Sequence, residues 1–274
     1  MSRLTAAVLQ MNSAADVDAN LATVRGAAVE AAAAGVRLLV LPENFAFMGA
    51  HARDKLAIAE APGDGPVQQC CTELAQRHGL WIVAGTIALR DPAEAQRIIA
   101  ASLVYDAEGR VRARYDKAHL FDVELPEGSY RESATIAPGA ATAVLSDGPA
   151  AARGGLSVCY DLRFPELYRR HAQEGACWLT VPSAFTHATG QAHWAPLLTA
   201  RAIENQCFVL APNQCGTHAD GRSTWGHSAI IDPWGRWLAA CEEQPGLAIA
   251  ELDFGAQAEQ RRRFPVLAHR RIYT

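Results

Sequence analysis

The sequence predicts a mixed α/β protein that folds as one domain. Short apolar runs typical of buried strands alternate along the chain with longer segments in which apolar residues recur with the period of a helix. The chain has 274 residues, of which 50% are hydrophobic and 20% are charged. Because α/β domains of roughly 200 to 250 residues are common, we predict a single domain over residues 1–274.

The first half of the chain is predicted to form a βαβαβ unit followed by a hairpin. The predicted elements are strand Leu4–Leu9, helix Val17–Ala34, strand Leu38–Leu41, helix Val67–Arg77, strand Trp81–Ile87, and the hairpin strands Ile98–Tyr105 and Val111–Tyr115. Gly35 ends the first helix, and residues 106–109 have the composition of a hairpin turn. The stretch Phe121–Gly139 is rich in proline and glycine, so we expect a long irregular loop with a functional role.

The second half repeats the alternation of strands and helices. The predicted elements are strand Gly155–Val158, helix Pro165–Glu174, strand Trp178–Val181, helix His193–Asn205, strand Cys207–Ala211, hairpin strands Ser228–Ile231 and Trp237–Ala240, and a last strand Leu247–Leu252. This spacing supports a mixed α/β fold but does not say how the two halves pack.

Composition excludes several classes of protein. The net charge of −4 argues against general nucleic-acid binding. No uncharged apolar run is long enough to span a membrane, and the N-terminus lacks the apolar region of a secretory signal, so we expect a cytoplasmic protein. The seven cysteines match neither a disulfide framework nor paired metal ligands, and reduced thiols are expected. Neither a zinc motif nor a glycine-rich nucleotide motif occurs, so we expect no metal and no cofactor.

Three polar residues stand where apolar strands end. Glu43 follows the strand at 38–41, Lys117 follows the second hairpin strand, and Cys159 follows the strand at 155–158. Alone, Cys159 is equally compatible with a free buried cysteine. Charges at the ends of buried strands are costly unless paired, so we expect Glu43 and Lys117 to pair.

Together these segments resemble the nitrilase superfamily of carbon–nitrogen hydrolases, whose Glu-Lys-Cys triad falls on Glu43, Lys117 and Cys159. The similarity covers nearly the whole chain and continues through Pro182-Ser183-Ala184-Phe185, Ala200-Arg201-Ala202-Ile203-Glu204-Asn205, Gly226-His227-Ser228 and Asp232-Pro233-Trp234-Gly235. The resemblance implies a four-layer α-β-β-α sandwich. It also implies a homodimer or higher homo-oligomer that hydrolyses a small linear amide through a cysteine thioester.

The resemblance assigns a role to each member of the triad. Cys159 is expected to be the nucleophile, made more reactive by a lowered pKa. Glu43 is expected to be the general base, and Lys117 to stabilise the oxyanion together with the N–H that follows Cys159. Glu132 resembles a further active-site carboxylate of the superfamily, although a polar loop residue is the alternative.

Within the superfamily the motifs are most similar to the deaminated-glutathione amidases and the related omega-amidases. Their substrates carry a carboxylate, so we expect an arginine clamp from Arg163 or Arg201, with Tyr160 and Phe185 also contacting substrate. Arg163 is equally compatible with support of the cysteine loop. A nitrilase and a non-catalytic binding protein on the same scaffold remain open. The C-terminal segment Phe264–Thr274 is predicted to dock on a second subunit.

Overall fold

Helices and strands alternate along the chain as the sequence predicts. We describe them from a computed structural model, which places residues 3–125 and 128–272. The helices are α1 (Val17–Ala33), α2 (Pro66–His78), α3 (Pro165–Gln173), α4 (His187–Asn205) and α5 (Phe254–Arg263). The strands are β1 (Arg3–Gln10), β2 (Leu38–Val40), β3 (Trp81–Arg90), β4 (Ile98–Tyr105), β5 (Val111–Asp116), β6 (Asp122–Leu125), β7 (Gly128–Arg131), β8 (Val144–Leu145), β9 (Gly154–Leu156), β10 (Trp178–Thr180), β11 (Phe208–Ala211), β12 (Cys215–Thr217), β13 (Ser223–Trp225), β14 (Ala229–Ile231), β15 (Trp237–Ala240) and β16 (Gly246–Asp253).

Two six-stranded sheets with related topology carry the fold. Their strand orders are β16-β1-β2-β3-β4-β5 and β15-β14-β11-β10-β9-β8. In each sheet three central strands run parallel, β1-β2-β3 in the first and β9-β10-β11 in the second, and the outer strands are antiparallel. Because ligands bind beyond the carboxyl ends of parallel strands, the residues that follow β2 and β9 are placed where a site is expected.

The sheets pack face to face between two layers of helices. Leu21 of α1 and Leu74 of α2 share a buried cluster with Leu39 of β2, so these helices cover the outer face of the first sheet. The second cluster joins Val40 of β2 to Leu210 of β11, together with strands of the second sheet and helices α3 and α4. The predicted four-layer α-β-β-α sandwich is confirmed. None of the described helices combines the length and hydrophobicity needed to cross a membrane.

Some predicted elements differ from the structure. The stretch 121–139 is not wholly irregular, because β6 and β7 pair as a short hairpin and a 3-10 turn covers Glu132–Ala134. Helix α4 begins at His187 rather than at His193. Gly190 in its first turns permits close packing, since a Cβ there would stand 2.2 Å from the Trp225 side chain. Helix α5, the hairpin β12–β13 and the two-residue strand β8 were not predicted, because each is short or largely polar.

Candidate active site

Glu43 lies in a turn beyond β2 that the neighbouring strand holds in place. The N–H of Asn44, whose φ of 57° is in the left-handed region, donates to Oγ1 of Thr86 at 2.8 Å. Strand β3 bulges here, and a Cβ at Gly85 would stand 1.9 Å from the carbonyl oxygen of Pro42. A glycine is therefore required for the backbone of β3 to approach the turn that carries Glu43.

Two groups from the second half of the chain fix Glu43. Its Oε2 accepts a hydrogen bond from the N–H of Ala184 at 2.9 Å. The side-chain amide of Gln214 donates to the carbonyl oxygen of Glu43 at 2.9 Å and to Oγ of Ser13 at 2.7 Å. The carboxylate is only 4% exposed, so its position depends on contacts between both halves of the fold.

Lys117 follows β5 and is 1% exposed. Its Nζ donates to Oε1 of Glu43 at 2.8 Å and to both carboxylate oxygens of Glu132 at 2.8 Å, so the expected pairing of Glu43 with Lys117 is present. Burial alone would lower the pKa of Lys117, but the carboxylates of Glu132 and Glu43 outweigh it and hold this pKa well above its ordinary value. The ammonium group therefore stays charged beside Cys159.

Cys159 is the first residue of a 3-10 turn, Cys159–Arg163, that follows β9. Its φ of 50° lies in the left-handed region, and its N–H donates to the carbonyl oxygen of Pro182 at 2.9 Å. Burial and the negative charge of Glu43, which accepts a hydrogen bond from the thiol, raise the pKa of Cys159 well above its ordinary value despite the opposing charge of Lys117. The thiol is thus protonated at rest, which corrects the prediction of a lowered pKa: the charge of Lys117 is already shared by two carboxylates.

Asp161 braces the turn that carries Cys159. Its Oδ2 accepts hydrogen bonds from the N–H of Val158 and the hydroxyl of Tyr115, both at 2.8 Å. Its Oδ1 accepts from the backbone N–H of His119 at 3.1 Å and contacts Nδ1 of the same residue at 2.7 Å. Sequence reasoning missed this fully buried carboxylate, although it lies only two residues after Cys159 in the sequence.

The structure separates the two arginines proposed as clamps. Arg201 is 5% exposed and donates through Nε and Nη2 to the carbonyl oxygen of Leu162 at 3.2 and 2.8 Å. It does not line the cavity, so it supports the cysteine turn and is not placed to contact substrate. Arg163 does line the cavity, with its guanidinium 5.3 Å from the ring centre of Phe185 and 5.8 Å from that of Tyr160.

A cavity of about 280 Å³ collects these side chains. The predicted site residues that line it are Glu43, Lys117, Glu132, Cys159, Tyr160, Arg163 and Phe185. Sequence reasoning missed three further lining cations, Lys55, Arg131 and Arg222, because they lie in turns and short hairpins without a recognisable motif. Across the placed ranges 3–125 and 128–272, no three His, Cys, Asp or Glu side chains form a group suited to a metal ion.

A family model for carbon–nitrogen hydrolases matches residues 5–262. The chain belongs to the carbon–nitrogen hydrolase family. This carbon–nitrogen hydrolase is 41% identical over 268 residues to a deaminated glutathione amidase of Rattus norvegicus, covering 97% of this chain and 81% of that protein. It is 39% identical over 274 residues to a deaminated glutathione amidase of Yersinia enterocolitica, with 99% and 94% covered.

Solved structures of the same family have the same fold. The NitFhit protein of Caenorhabditis elegans superposes on this hydrolase with a TM-score of 0.93 at 38% identity, covering 100% of this chain and 67% of the other. Nit3 of Saccharomyces cerevisiae, a member of the nitrilase superfamily, superposes with a TM-score of 0.86 at 29% identity. The match covers 96% of this chain and 95% of the other. An amidase from Nesterenkonia, in which acrylamide has added to the active-site cysteine, superposes with a TM-score of 0.77 at 28% identity. The match covers 96% of this chain and 98% of the other.

Proposed function

We propose that this hydrolase is an amidase that cleaves the 2-oxoglutaryl amide bond of deaminated glutathione, with Cys159 as the nucleophile. The observation that carries the proposal is that Cys159, Glu43 and Lys117 line one cavity, in which Nζ of Lys117 donates to Oε1 of Glu43 at 2.8 Å. The relatives from rat and Yersinia support the substrate. The acrylamide adduct of the related amidase supports a reactive cysteine at this position of the fold.

The reaction begins when Glu43 takes the thiol proton as Sγ of Cys159 attacks the amide carbonyl carbon. The oxygen of the tetrahedral intermediate is stabilised by the ammonium of Lys117 and the backbone N–H of Tyr160, and loss of one such donor costs about 2.7–4 kcal/mol. Glu43 then protonates the departing nitrogen, cysteinylglycine leaves, and a 2-oxoglutaryl thioester remains on Cys159. Water, deprotonated by Glu43, attacks the thioester carbon, the C–S bond breaks to release 2-oxoglutarate, and Glu43 returns the proton to Sγ of Cys159. Glu132 keeps Lys117 charged and in position.

Arg163 is the proposed partner of the 2-oxo acid carboxylate. Its guanidinium lines the cavity against two aromatic faces, where it can make a bidentate contact. We expect Arg163→Ala to lower kcat/KM by the equivalent of about 2–5 kcal/mol. Arg201→Ala acts through the cysteine turn and therefore should lower kcat without a selective rise in KM.

A substrate panel tests the proposal. Deaminated glutathione, 2-oxoglutaramate and a simple aliphatic nitrile are compared by kcat/KM, with cysteinylglycine and ammonia measured as products. We expect kcat/KM to be highest for deaminated glutathione and lower for 2-oxoglutaramate, and we expect the nitrile to be scarcely hydrolysed. Preference for 2-oxoglutaramate would make the protein an omega-amidase, preference for the nitrile would make it a nitrilase, and no turnover of any would favour a binding protein.

We also propose that the protein is a homodimer. An exposed apolar patch lies around the end of α4 and comprises Ile203, Trp234, Trp237 and Phe264, which are 49%, 57%, 37% and 53% exposed. The rings of Trp234 and Phe264 lie 6.1 Å apart. Patches of this kind mark subunit contacts, and Phe264 also begins the C-terminal segment predicted to dock, whose last two residues lie outside the described residues.

Light scattering tests the dimer. We expect the wild-type chain to have twice the monomer mass at micromolar concentration, and Trp234→Glu to shift it toward the monomer because the charge would be buried in the contact. Leu238→Glu, at an exposed apolar residue outside the named patch, is the matched control. A monomeric wild type would contradict the proposal.

A cytoplasmic location is the accompanying proposal. All seven cysteines carry free thiols, which suits a reducing compartment. Fractionation of cells followed by immunodetection would check it, and recovery from an oxidising compartment would contradict it.

A further inference from the structure

Among the described residues, five cationic side chains line the cavity, and two of them, Lys55 and Arg163, have no carboxylate partner. Lys117 is paired with Glu43 and Glu132, Arg222 with Asp220, and Arg131 with Glu124. Arg163 lies on aromatic rings and contacts Nδ1 of His193 at 3.2 Å. Within the part of the chain that the structure places, Lys55 makes neither a hydrogen bond nor an ion pair.

The position of Lys55 makes the missing partner costly. It lies in a 3-10 turn, Asp54–Leu56, and its half-buried side chain lines the cavity. Burial lowers the pKa of Lys55 from its ordinary value, against the opposing charges of Glu132 and Glu43. A partly desolvated ammonium without a direct partner is unfavourable, and an anion entering the cavity would relieve that cost.

Arg222 adds a second donor on the same side. It lines the cavity from the β12–β13 hairpin, 5.9 Å from the ring centre of Tyr130, and it is close enough to interact electrostatically with Lys55. Its Nε is buried and has no hydrogen-bond partner among the described residues. Lys55, which has no direct partner, and Arg222, which lines the same cavity, together form a preorganised anion site.

The chemistry of the reaction tells which end of the substrate this site meets. Glu43 supplies the proton to the departing nitrogen, so the amine part of the amide must face the wall that carries Glu43. The same cavity is lined by Asn44, Phe47 and Lys55, and the ammonium of Lys55 is close enough to Glu43 to interact with its charge. Arg163 instead belongs to the turn that carries the nucleophile, where the acyl part is held.

We propose that Lys55, with Arg222, forms a subsite for a carboxylate on the leaving amine. The substrate class is then an amide whose nitrogen belongs to an amino acid or short peptide with a free C-terminal carboxylate. This inference rests on the proposed function and deepens it: cysteinylglycine ends in such a carboxylate, whereas the ammonia that leaves from 2-oxoglutaramate carries none.

A cycle of enzyme and substrate changes tests the subsite. Lys55→Met keeps the apolar stem and removes the charge, and the substrate is deaminated glutathione or its C-terminal carboxamide. We expect Lys55→Met to lower kcat/KM for the acid on the order of 10- to 100-fold, mainly through KM, and to change that for the carboxamide by less than about 2-fold. Arg53→Gln removes a charge two residues away, outside the cavity, where Arg53 donates to Gln96 at 2.9 Å, and it should affect neither substrate.

Two results would overturn the subsite. Equal losses on the acid and the carboxamide would mean that Lys55 acts on the charge of Glu132, and no loss on either would mean that it meets no substrate carboxylate. Calorimetry on the Cys159→Ala protein, with cysteinylglycine and cysteinylglycinamide, separates this question from the proposed function. If the wild type fails to hydrolyse deaminated glutathione, the proposed function is refuted. The calorimetry still decides the subsite in that case, because Lys55→Met should remove the tighter binding of cysteinylglycine over cysteinylglycinamide.

Discussion

The thiol of Cys159 is protonated before the substrate arrives. The thiol keeps that proton because burial and the carboxylate together disfavour a thiolate, even with Lys117 nearby. Deprotonation is therefore coupled to attack on the carbonyl carbon, when Lys117 begins to stabilise the oxyanion instead. This arrangement protects the resting enzyme from electrophiles that require a preformed thiolate.

Replacing the nucleophile separates chemistry from folding. We expect Cys159→Ala to lower kcat by at least about 10³-fold, because no other thiol reaches the substrate carbonyl. The free energy of unfolding should fall by less than about 2 kcal/mol, since only one sulfur atom is lost. Steady-state kinetics and urea denaturation measure the two quantities. Acyl transfer to a different cysteine, detected by mass spectrometry, would contradict the assignment.

Replacing the base should change thiol reactivity in the opposite direction to turnover. In Glu43→Gln the negative charge that raises the pKa of Cys159 is gone while Lys117 remains, so the thiolate fraction at pH 8 should rise. We expect faster alkylation of Cys159 by iodoacetamide together with loss of turnover. Peptide mass spectrometry over time measures the alkylation, and slower alkylation than in the wild type would show that the charge of Glu43 does not raise the pKa of Cys159.

At the scale of elements, close backbone approaches decide where the active-site side chains stand. The turn after β2 fits only because Gly85 leaves space beside Pro42, and the loop before β8 fits because Gly139 does the same beside Asp116, where a Cβ would stand 2.0 Å from the carbonyl oxygen. These two glycines lie behind Glu43 and Lys117 respectively. A strand can thus position a catalytic group without contacting it.

Two Gly→Ala substitutions, which add the same methyl group at different places, test this positioning role. Gly85→Ala should destabilise the protein by roughly 1–3 kcal/mol and lower kcat, because the added methyl group displaces the turn that carries Glu43. Gly26→Ala, on the exposed face of α1 with no atom near the new methyl group, should instead stabilise it by about 0.5–1 kcal/mol at unchanged kcat. Denaturation curves and steady-state rates measure both. Unchanged kcat in folded Gly85→Ala would refute the positioning role.

The ion cluster that joins β5 to the turn at 132–134 predicts acid sensitivity. Burial would raise the pKa of Glu132, but the charges of Lys117 and Lys55 and the hydrogen bonds from Lys117 and the N–H of Phe121 outweigh it, so this pKa lies below its ordinary value of 4.5. The folded state then binds fewer protons than the unfolded state, and the stabilisation is present above pH 4.5 and lost as the pH falls through the folded pKa.

Glu132→Gln measures that contribution. The variant should be less stable than the wild type at pH 7, and the difference should shrink between about pH 5 and pH 3. Urea midpoints at several pH values follow it. A difference that stays constant with pH would mean that the charge of Glu132 does not stabilise the fold.

The triad and the cavity were predictable to different degrees. Glu43, Lys117 and Cys159 follow strands, but it was their resemblance to the Glu-Lys-Cys residues of the nitrilase superfamily that singled them out, and the structure brings the three into one cavity. Arg201 was predicted to touch substrate and instead holds Leu162, because which acceptor a long side chain reaches depends on the packing of α4 against the cysteine turn. Lys55 had no local pattern, since its place in the cavity is set by tertiary contacts of a loop.

At the scale of the whole molecule, the site is assembled from both halves of the chain. Glu43 and Lys117 come from the first sheet, Cys159 and Ala184 from the second, and Gln214 joins them through Ser13 and the carbonyl oxygen of Glu43. The candidate active site is therefore also a contact between the two sheets. Local loosening of that contact should lower activity before it lowers stability.

Gln214→Leu tests this coupling. The side chain keeps its volume but loses the hydrogen bonds to Glu43 and Ser13, so we expect kcat to fall by more than about 10-fold, with a loss of roughly 1–3 kcal/mol in stability. The alkylation rate of Cys159 should change less than in Glu43→Gln. If kcat stays at the wild-type level, the link between the halves does not position the base.

The antiparallel pairing of β16 with β1 sets a condition on biosynthesis. Residues 246–253 complete the edge of a sheet whose first strand is residues 3–10, so a nascent chain on the ribosome must wait for nearly its whole length before that edge closes. Until then one edge of β1 has unpaired N–H and C=O groups, which can form hydrogen bonds with a strand of another chain. A chain stopped before residue 246 would therefore be inactive and also prone to aggregate, and chaperones that shield strand edges would meet this protein while it is still being made.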